Sequence, residues 1–315
     1  MSDKEVLAEE KKTDVQQFKK VILLAGGVGP AAGVSAHHQI VGLTDNGSCK
    51  DQGHASVIHL SFSGSVLDRT VWLFSDRKAP NPGGEMAKAV NRAMDGFMKQ
   101  NCKVVLGVPC NTFHAPAIWD VFIKNLNFVN RIKIVHMIEE TAQAIKKVKK
   151  NNGKVLKVGL MATDGTRKSK VYDNIFKKYG DLQLVFPEVF DQKNIMDAIY
   201  NSNYGVKGQT PDMQKDLKLI NGVIDKLRQK GATAFILGCT ELPLPFQAVN
   251  GKIPNDCFDP ANILVRTLIT QSGHTLKGLL NMKKDGEKDP ITGNDFLNIP
   301  TSGKFFERIY RPSKL

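Results

Sequence analysis

The stretch that decides the fold is Thr233-Ala-Phe-Ile-Leu-Gly-Cys-Thr240, a short apolar run closed by glycine and cysteine. Runs of this kind are typical of strands that are buried on both faces of a parallel sheet. A second stretch in the first half of the chain, Val104-Val-Leu-Gly-Val-Pro-Cys-Asn-Thr112, has the same order of apolar run, glycine, cysteine and threonine. The chain therefore contains two predicted strands that lead into comparable cysteines, Cys110 and Cys239.

The similarity between the two halves extends upstream of these cysteines. Each half begins with an apolar strand and a glycine-containing turn, at residues 20–27 and again at residues 157–165. Ligands of open α/β sheets bind at the carboxyl ends of the strands. We therefore expect two similar halves related by a pseudo-twofold axis, with Cys110 and Cys239 on opposite walls of one cleft that holds the active site.

Helical periodicity separates these strands, which indicates α/β domains with parallel sheets of flavodoxin-like character. Further strands are predicted at residues 57–61 and 181–186. The predicted helices span residues 31–41, 84–100, 168–179 and 212–230.

The domain limits follow from the repeat. We expect a first domain formed by residues 20–130 together with a return segment at 258–280, and a second domain formed by residues 131–257. Residues 1–19 form a polar leader, and residues 281–315 form a C-terminal extension outside the repeat.

Composition narrows the class of protein. Of the 315 residues, 41% are hydrophobic and 24% are charged, which is ordinary for a globular chain. No apolar run is long enough to span a bilayer, and residues 1–20 lack the apolar centre of a signal peptide, so we expect a cytoplasmic protein without a membrane partner. The five cysteines are odd in number and form no CxxC pair, which favours free thiols over disulfides and predicts no metal site.

The net charge of +13 could indicate a nucleic-acid-binding protein or simply a solvated basic surface. Basic residues are spread over polar helical faces without interleaved aromatic residues, so we expect no nucleic-acid partner. A basic chain also attracts dianionic small molecules. This property fits an acidic substrate.

Two opposed thiols suit one kind of chemistry. One thiolate can remove the α-proton of an amino acid, and the thiol on the other face can return a proton to the planar carbanion. Proline follows each cysteine closely, as in the first turn of a helix, and a helix N-terminus stabilises a nearby thiolate. Asn111, Thr112 and Thr240 adjoin the cysteines and can donate hydrogen bonds to a carboxylate or enolate oxygen.

Six short motifs, in order over residues 21–275, resemble the aspartate branch of the aspartate/glutamate racemase superfamily. They are Gly26-Gly-Val-Gly-Pro30, Asp51-Gln-Gly-His54, Leu67-Asp-Arg-Thr70, Pro109-Cys-Asn-Thr-Phe-His114, Tyr204-Gly-Val-Lys-Gly208 and Leu237-Gly-Cys-Thr-Glu-Leu-Pro243. The resemblance implies racemisation without pyridoxal phosphate or any other cofactor, with Cys110 and Cys239 as the acid/base pair. It also implies that Arg69 and Lys207 bind substrate carboxylates.

Thr163 and Glu241 complete the predicted substrate-binding set, and a homodimer is expected. Aspartate is the first expected substrate and glutamate the second. The motifs are not identical to the family pattern, since Leu67 stands where proline is usual. Two alternatives therefore stay open: an isomerase or racemase acting on another compound, such as maleate or a hydantoin, and a non-catalytic module that senses an amino acid or binds a protein.

Overall fold

The structure is a computed structural model that describes five segments of the chain. They are residues 20–44, 51–98, 102–127, 129–148 and 154–276. The predicted leader and C-terminal extension lie outside these residues.

Four parallel strands form the first sheet, in the order β2-β1-β3-β4. They are β1 (Lys20–Gly26), β2 (Val57–Ser61), β3 (Lys103–Gly107) and β4 (Ile132–Val135). Every residue of β1 after Lys20 is buried, as its unbroken apolar sequence predicts.

Four parallel strands also form the second sheet, in the order β6-β5-β7-β8. They are β5 (Leu156–Ala162), β6 (Leu182–Val185), β7 (Ala234–Gly238) and β8 (Cys257–Phe258). The two orders match strand for strand, so β3 and β7 hold equivalent places in their sheets. The predicted pair of similar α/β halves is confirmed.

Helices connect the strands in both halves. The first half contains α1 (Pro30–Thr44), α2 (Arg69–Phe74), α3 (Pro82–Met98), α4 (Pro116–Lys124) and α5 (Met137–Val148). The second half contains α6 (Asp164–Lys168), α7 (Val171–Phe176), α8 (Val189–Tyr200), α9 (Met213–Gln229) and α10 (Pro243–Asn250), and α11 (Pro260–Gln271) follows β8. Single 3-10 turns lie at Asp51–Gly53, Thr112–His114 and Val129–Arg131.

The last helix, α11, lies against the first sheet. A Cβ added to Gly107 at the end of β3 would come within 2.9 Å of Leu264 and 3.0 Å of Leu268, so α11 packs closely on this strand. One buried cluster includes both leucines together with Ile22 of β1 and Val158 of β5. The two halves thus share a hydrophobic core, while the exact domain limits stay a prediction.

The predicted helix over residues 168–179 is shorter in the structure, where α7 spans Val171–Phe176. It begins only after Lys170, because Lys170 adopts a left-handed conformation with φ 55° between α6 and α7. A non-glycine residue with positive φ interrupts helical hydrogen bonding. No sequence pattern predicted β4, α5, α8 and α11 as separate elements. No helix in the described part of the chain is long and apolar enough to cross a membrane.

Candidate active site

A cavity lies where the carboxyl ends of strands from both sheets meet. Its lining residues follow β1, β3, β5 and β7, and others come from the start of α2 and from the segment after α8. All nine residues predicted from the sequence line it: Arg69, Cys110, Asn111, Thr112, Thr163, Lys207, Cys239, Thr240 and Glu241. The structure therefore brings together residues that are spread over most of the chain.

The two cysteines reach this cavity from equivalent positions. Cys239 directly follows β7, and Cys110 lies three residues after the end of β3. Both are free thiols, with 9% exposure for Cys110 and 8% for Cys239. Each thiol is therefore shielded from bulk solvent while its residue still lines the cavity.

His114 supports the backbone at Cys110. Its Nδ1 lies 2.9 Å from the carbonyl oxygen of Cys110, and its Nε2 accepts a hydrogen bond from the Met137 backbone at 3.3 Å. Burial and the neighbouring His136 hold the pKa of His114 well below its ordinary value. The ring is therefore neutral, with Nδ1 as the donor, and it contacts the backbone of Cys110 through this bond.

Cys239 belongs to a hydrogen-bonded network with a buried carboxylate. Its Sγ donates to Oε2 of Glu241 at 2.9 Å, and Oγ1 of Thr240 donates to the same oxygen at 2.9 Å. The other oxygen of Glu241 forms an ion pair of 3.0 Å with Nζ of Lys207. Glu241 is only 3% exposed, so Lys207 is the cation that compensates its buried charge.

This network changes the expected ionisation of Cys239. Burial, and then the Glu241 carboxylate, raise the pKa of the Cys239 thiol well above its ordinary value. The pKa of Glu241 is lowered despite its burial, because Lys207 and the bonds from Cys239 and Thr240 favour its charged form. The expected stabilisation of a Cys239 thiolate by a helix N-terminus is therefore wrong. Helix α10 begins only at Pro243, and the carboxylate lies much closer.

Arg69 begins helix α2, behind the N-cap Asp68. Its guanidinium donates to the carbonyl oxygens of Val28 at 3.0 Å and Leu67 at 3.3 Å, while its buried Nε finds no partner in the described residues. Burial lowers the pKa of Arg69, but the nearby Cys110 and Asp68 outweigh that effect and raise it. The Nε–H of this cation is thus unused among the described residues, and Arg69 lines the cavity.

Asn111 provides a second unused donor. Its Oδ1 accepts a hydrogen bond of 2.6 Å from the hydroxyl of Tyr172, a residue of the second half, which fixes the orientation of the amide. Its buried Nδ2 finds no partner among the described residues. A buried donor without a partner costs about 1–3 kcal/mol. An anionic ligand that accepts from Arg69 and Asn111 would remove that cost.

Thr112 and Thr163 line the cavity, but their hydroxyls are engaged. Oγ1 of Thr112 lies 2.9 Å from Oγ1 of Thr166 and 3.4 Å from Oγ1 of Thr163. Thr163 also caps α6 by accepting from the backbone of Thr166. The bonds between these threonines link the two halves of the molecule. Contact of Thr112 and Thr163 with the substrate stays a prediction.

Tyr200 is a cavity residue that no sequence motif predicted. It is the last residue of α8, and Nζ of Lys207 lies 5.0 Å from the centre of its ring. Burial raises the pKa of Tyr200, so its hydroxyl stays protonated. The remaining unpredicted lining residues are Val28, Asp68, Thr70 and Gly238, which adjoin predicted ones. Among the residues described, no three His, Cys, Asp or Glu side chains are grouped to hold a metal ion.

Comparison with known proteins gives consistent results. Residues 26–268 match the Asp/Glu/Hydantoin racemase family. A glutamate racemase of Fusobacterium nucleatum is 29% identical over 236 residues, which are 73% of this chain and 81% of that protein. The solved structure of Picrophilus torridus aspartate racemase has a TM-score of 0.61 and 25% identity, covering 84% of this chain and 98% of that one. The solved structure of an aspartate racemase homologue from Pyrococcus horikoshii shares the fold, with a TM-score of 0.57 at 20% identity. The match covers 81% of this chain and 100% of that one.

The match to the family spans well over half of the chain. The protein therefore belongs to the Asp/Glu/hydantoin racemase family, as its motifs predicted. It is an enzyme of the racemase class that works without pyridoxal phosphate.

Proposed function

We propose that this enzyme racemises an acidic amino acid, aspartate first and glutamate second, by proton transfer between Cys110 and Cys239. The observation that carries the proposal is that these two thiols, from equivalent strand ends, line one cavity. A two-base racemase needs one acid/base group on each side of the substrate α-carbon. The equivalent places of β3 and β7 in their two sheets support this arrangement.

The proposed reaction has two proton transfers. A Cys110 thiolate takes the α-proton of one enantiomer and becomes a thiol, which leaves a planar carbanion delocalised into the α-carboxylate. The Cys239 thiol then donates its proton to the opposite face of that carbon and becomes a thiolate. The other enantiomer reacts by the same steps in reverse. Glu241 accepts the hydrogen bond of the Cys239 thiol in the resting enzyme, which favours the protonated form of Cys239 that donates in this direction.

The charges around the cavity support a dicarboxylic substrate. Nε of Arg69 and Nδ2 of Asn111, both without a partner in the described residues, are donors on the side of the first half, and we propose that one substrate carboxylate accepts from them. On the other side, an ammonium group has three donors. Lys207 can therefore keep its ion pair with Glu241 and still bind the second carboxylate of a substrate.

A direct test is incubation of the purified protein with L-aspartate or L-glutamate in heavy water, with chiral separation and mass spectrometry of the product. We expect the D-enantiomer to form and to carry one deuterium at the α-carbon. Activity should survive a chelator and hydroxylamine, which removes pyridoxal phosphate.

Other outcomes would contradict the proposal. Turnover that requires added pyridoxal phosphate would exclude the two-thiol reaction. Activity on maleate or a hydantoin without activity on either amino acid would assign the site to the alternative substrates. Binding of aspartate without exchange of its α-proton would indicate a non-catalytic module.

We also propose a cytoplasmic homodimer that acts on small molecules and binds neither nucleic acid nor membranes. Light scattering coupled to gel filtration measures the mass in solution, and a monomer at micromolar concentration would contradict the dimer.

A further inference from the structure

We propose that Gly165 sets the width of the gap between the two sides of the cavity, one with Cys110 and the other with Cys239. Gly165 thereby acts as a positioning residue for the reaction. The proposal rests on the racemase function proposed above. It concerns the contact at which helix α2 of the first half meets helix α6 of the second.

Gly165 leaves no room for a side chain on the face that meets α2. A Cβ at this position would lie 2.2 Å from Oγ1 of Thr70, 3.0 Å from Cβ of Thr70 and 3.1 Å from Cγ2 of Thr112. Rotation of the Thr70 hydroxyl would relieve only the first of these contacts. Because threonine is branched at Cβ and stiff, a Cβ at residue 165 requires Thr70, and with it helix α2, to shift.

The residues on the first-half side of this contact are next to the proposed chemistry. Thr70 directly follows Arg69, and Thr112 lies two residues after Cys110. On the other side, Gly165 belongs to the half that contributes Cys239 and Lys207 to the cavity. The closeness of α2 and α6 at Gly165 therefore helps to set how far Cys110 and Arg69 stand from Cys239 and Lys207.

Further bonds hold the same interface together. The hydroxyl of Thr112 lies 2.9 Å from that of Thr166, and both side chains are buried. At the outer edge, Nζ of Lys168 lies 5.3 Å from the ring centre of Phe74, the last residue of α2. The contact thus extends along both short helices, and a shift at Gly165 would move them relative to each other.

The reaction is sensitive to such a shift. Both sulfur atoms must reach a single carbon, and a misplacement of about 1 Å can lower the rate about 100-fold. An added Cβ at 2.2 Å falls about 1 Å short of an ordinary contact distance. We therefore expect Gly165→Ala to lower kcat/KM for aspartate by about 100-fold while the protein stays folded. A wider gap should penalise glutamate less, so the ratio of glutamate to aspartate turnover should rise.

The experiment compares Gly165→Ala with Gly222→Ala. Gly222 is also a helical glycine, and a Cβ there meets nothing within 4 Å, so this control should keep the activity of the parent protein. The first readout is kcat/KM for both amino acids. The second is the rate at which iodoacetamide labels Cys110 and Cys239, which does not depend on racemisation. We expect both thiols, now buried, to be labelled at least several times faster in Gly165→Ala.

The double variant Thr70→Ala/Gly165→Ala distinguishes the steric effect of the added Cβ from a simple loss of folding. It removes the hydroxyl that makes the closest contact, so part of the lost activity and of the thiol protection should return. A folded Gly165→Ala protein with unchanged substrate ratio and unchanged labelling would overturn the proposal. If the parent protein racemises neither amino acid, the proposed function fails, and the labelling rates still decide whether Gly165 sets the gap.

Discussion

Cys239 donates a hydrogen bond of 2.9 Å to Glu241, so one of the two opposed thiols is paired with a buried carboxylate. The surroundings of Cys110 differ, since this residue is among the groups that raise the pKa of Arg69. The two walls of the cavity are therefore electrostatically unequal. A carboxylate favours the proton on Cys239, while a guanidinium lies near Cys110.

Replacing Glu241 with glutamine tests this inequality. The amide removes the negative charge that raises the pKa of Cys239 and leaves Lys207 beside the thiol without its partner. We expect the pKa of Cys239 to fall, with a rise of at least about tenfold in its alkylation rate at pH 7.5, since one pKa unit changes the thiolate fraction about tenfold. Glu188→Gln is the matched control, because this carboxylate pairs with Lys230 on the surface. An unchanged alkylation rate in folded Glu241→Gln would count against the assigned role of the carboxylate.

Replacing either cysteine with serine should separate the two proton transfers. Racemisation must pass through both thiols, and serine is too weak an acid at neutral pH, so Cys110→Ser and Cys239→Ser should each lose it in both directions. Each variant should still exchange the α-proton of one enantiomer with solvent through the remaining thiolate. The measurement is deuterium incorporation into L- and D-aspartate by mass spectrometry, and the two variants should show opposite preferences. Full racemisation by either folded variant would falsify the two-thiol mechanism.

Replacing Arg69 with lysine keeps the charge and removes the Nε–H that has no partner among the described residues. Hydrogen bonds to charged groups contribute about 1.5–3 kcal/mol, so kcat/KM for aspartate should fall by about 10- to 100-fold. The loss should appear mainly in KM if the bond forms equally in the ground state and the transition state. Arg77→Lys, just after the same helix, is the control and should change little. If Arg69→Lys and Arg77→Lys have the same kinetics, Arg69 does not bind the substrate.

The stability of the protein should depend on pH through Asp216 of helix α9. This side chain is fully buried, and neither carboxylate oxygen has a hydrogen-bond partner within the described residues. Burial, followed by repulsion from Asp212, raises the pKa of Asp216 from 3.8 to about 7. The folded state therefore holds a proton that the unfolded state releases, and the free energy of unfolding should fall as the pH rises from about 4 to about 7.

Asp216→Asn should remove this dependence. We expect it to raise the free energy of unfolding by about 2–4 kcal/mol at pH 8 and to have little effect near pH 4, measured by urea denaturation. Asp225→Asn serves as the control, because Asp225 lies on the same helix with its side chain 66% exposed. If Asp216→Asn raises the free energy of unfolding equally at about pH 4 and pH 8, ionisation of the Asp216 carboxylate does not cause the pH dependence.

Much of the fold could be predicted because its signals are local. The buried strands β1, β3, β5 and β7 are short apolar runs with glycine in or just after them, and each lies within one residue of the stretch in which the sequence predicts it. The break at Lys170 could not be predicted in this way, since its neighbours have ordinary helical propensity and its positive φ depends on how α6 and α7 pack. Strand β4 is only four residues long and has Lys133 between its apolar residues, so it gave no clear signal.

The sequence by itself determined most of the residues that meet at the cavity. Two strand–glycine–cysteine repeats and six motifs indicated nine residues, and all nine line one cavity. Such a result is possible because parallel strands bring their carboxyl ends to the same edge of a sheet, so the position in the repeat predicts the position in space.

The tertiary structure alone decided how these residues are paired and charged. Glu241 meets Lys207, and Gly165 meets Thr70, across long stretches of chain that no local pattern connects. The pKa of Cys239 likewise rises through burial and a carboxylate that folding holds 2.9 Å away. Electrostatic and steric interactions depend on distance in space rather than on separation along the chain, so only the folded molecule sets the protonation of Cys239 and the close packing of α2 on α6.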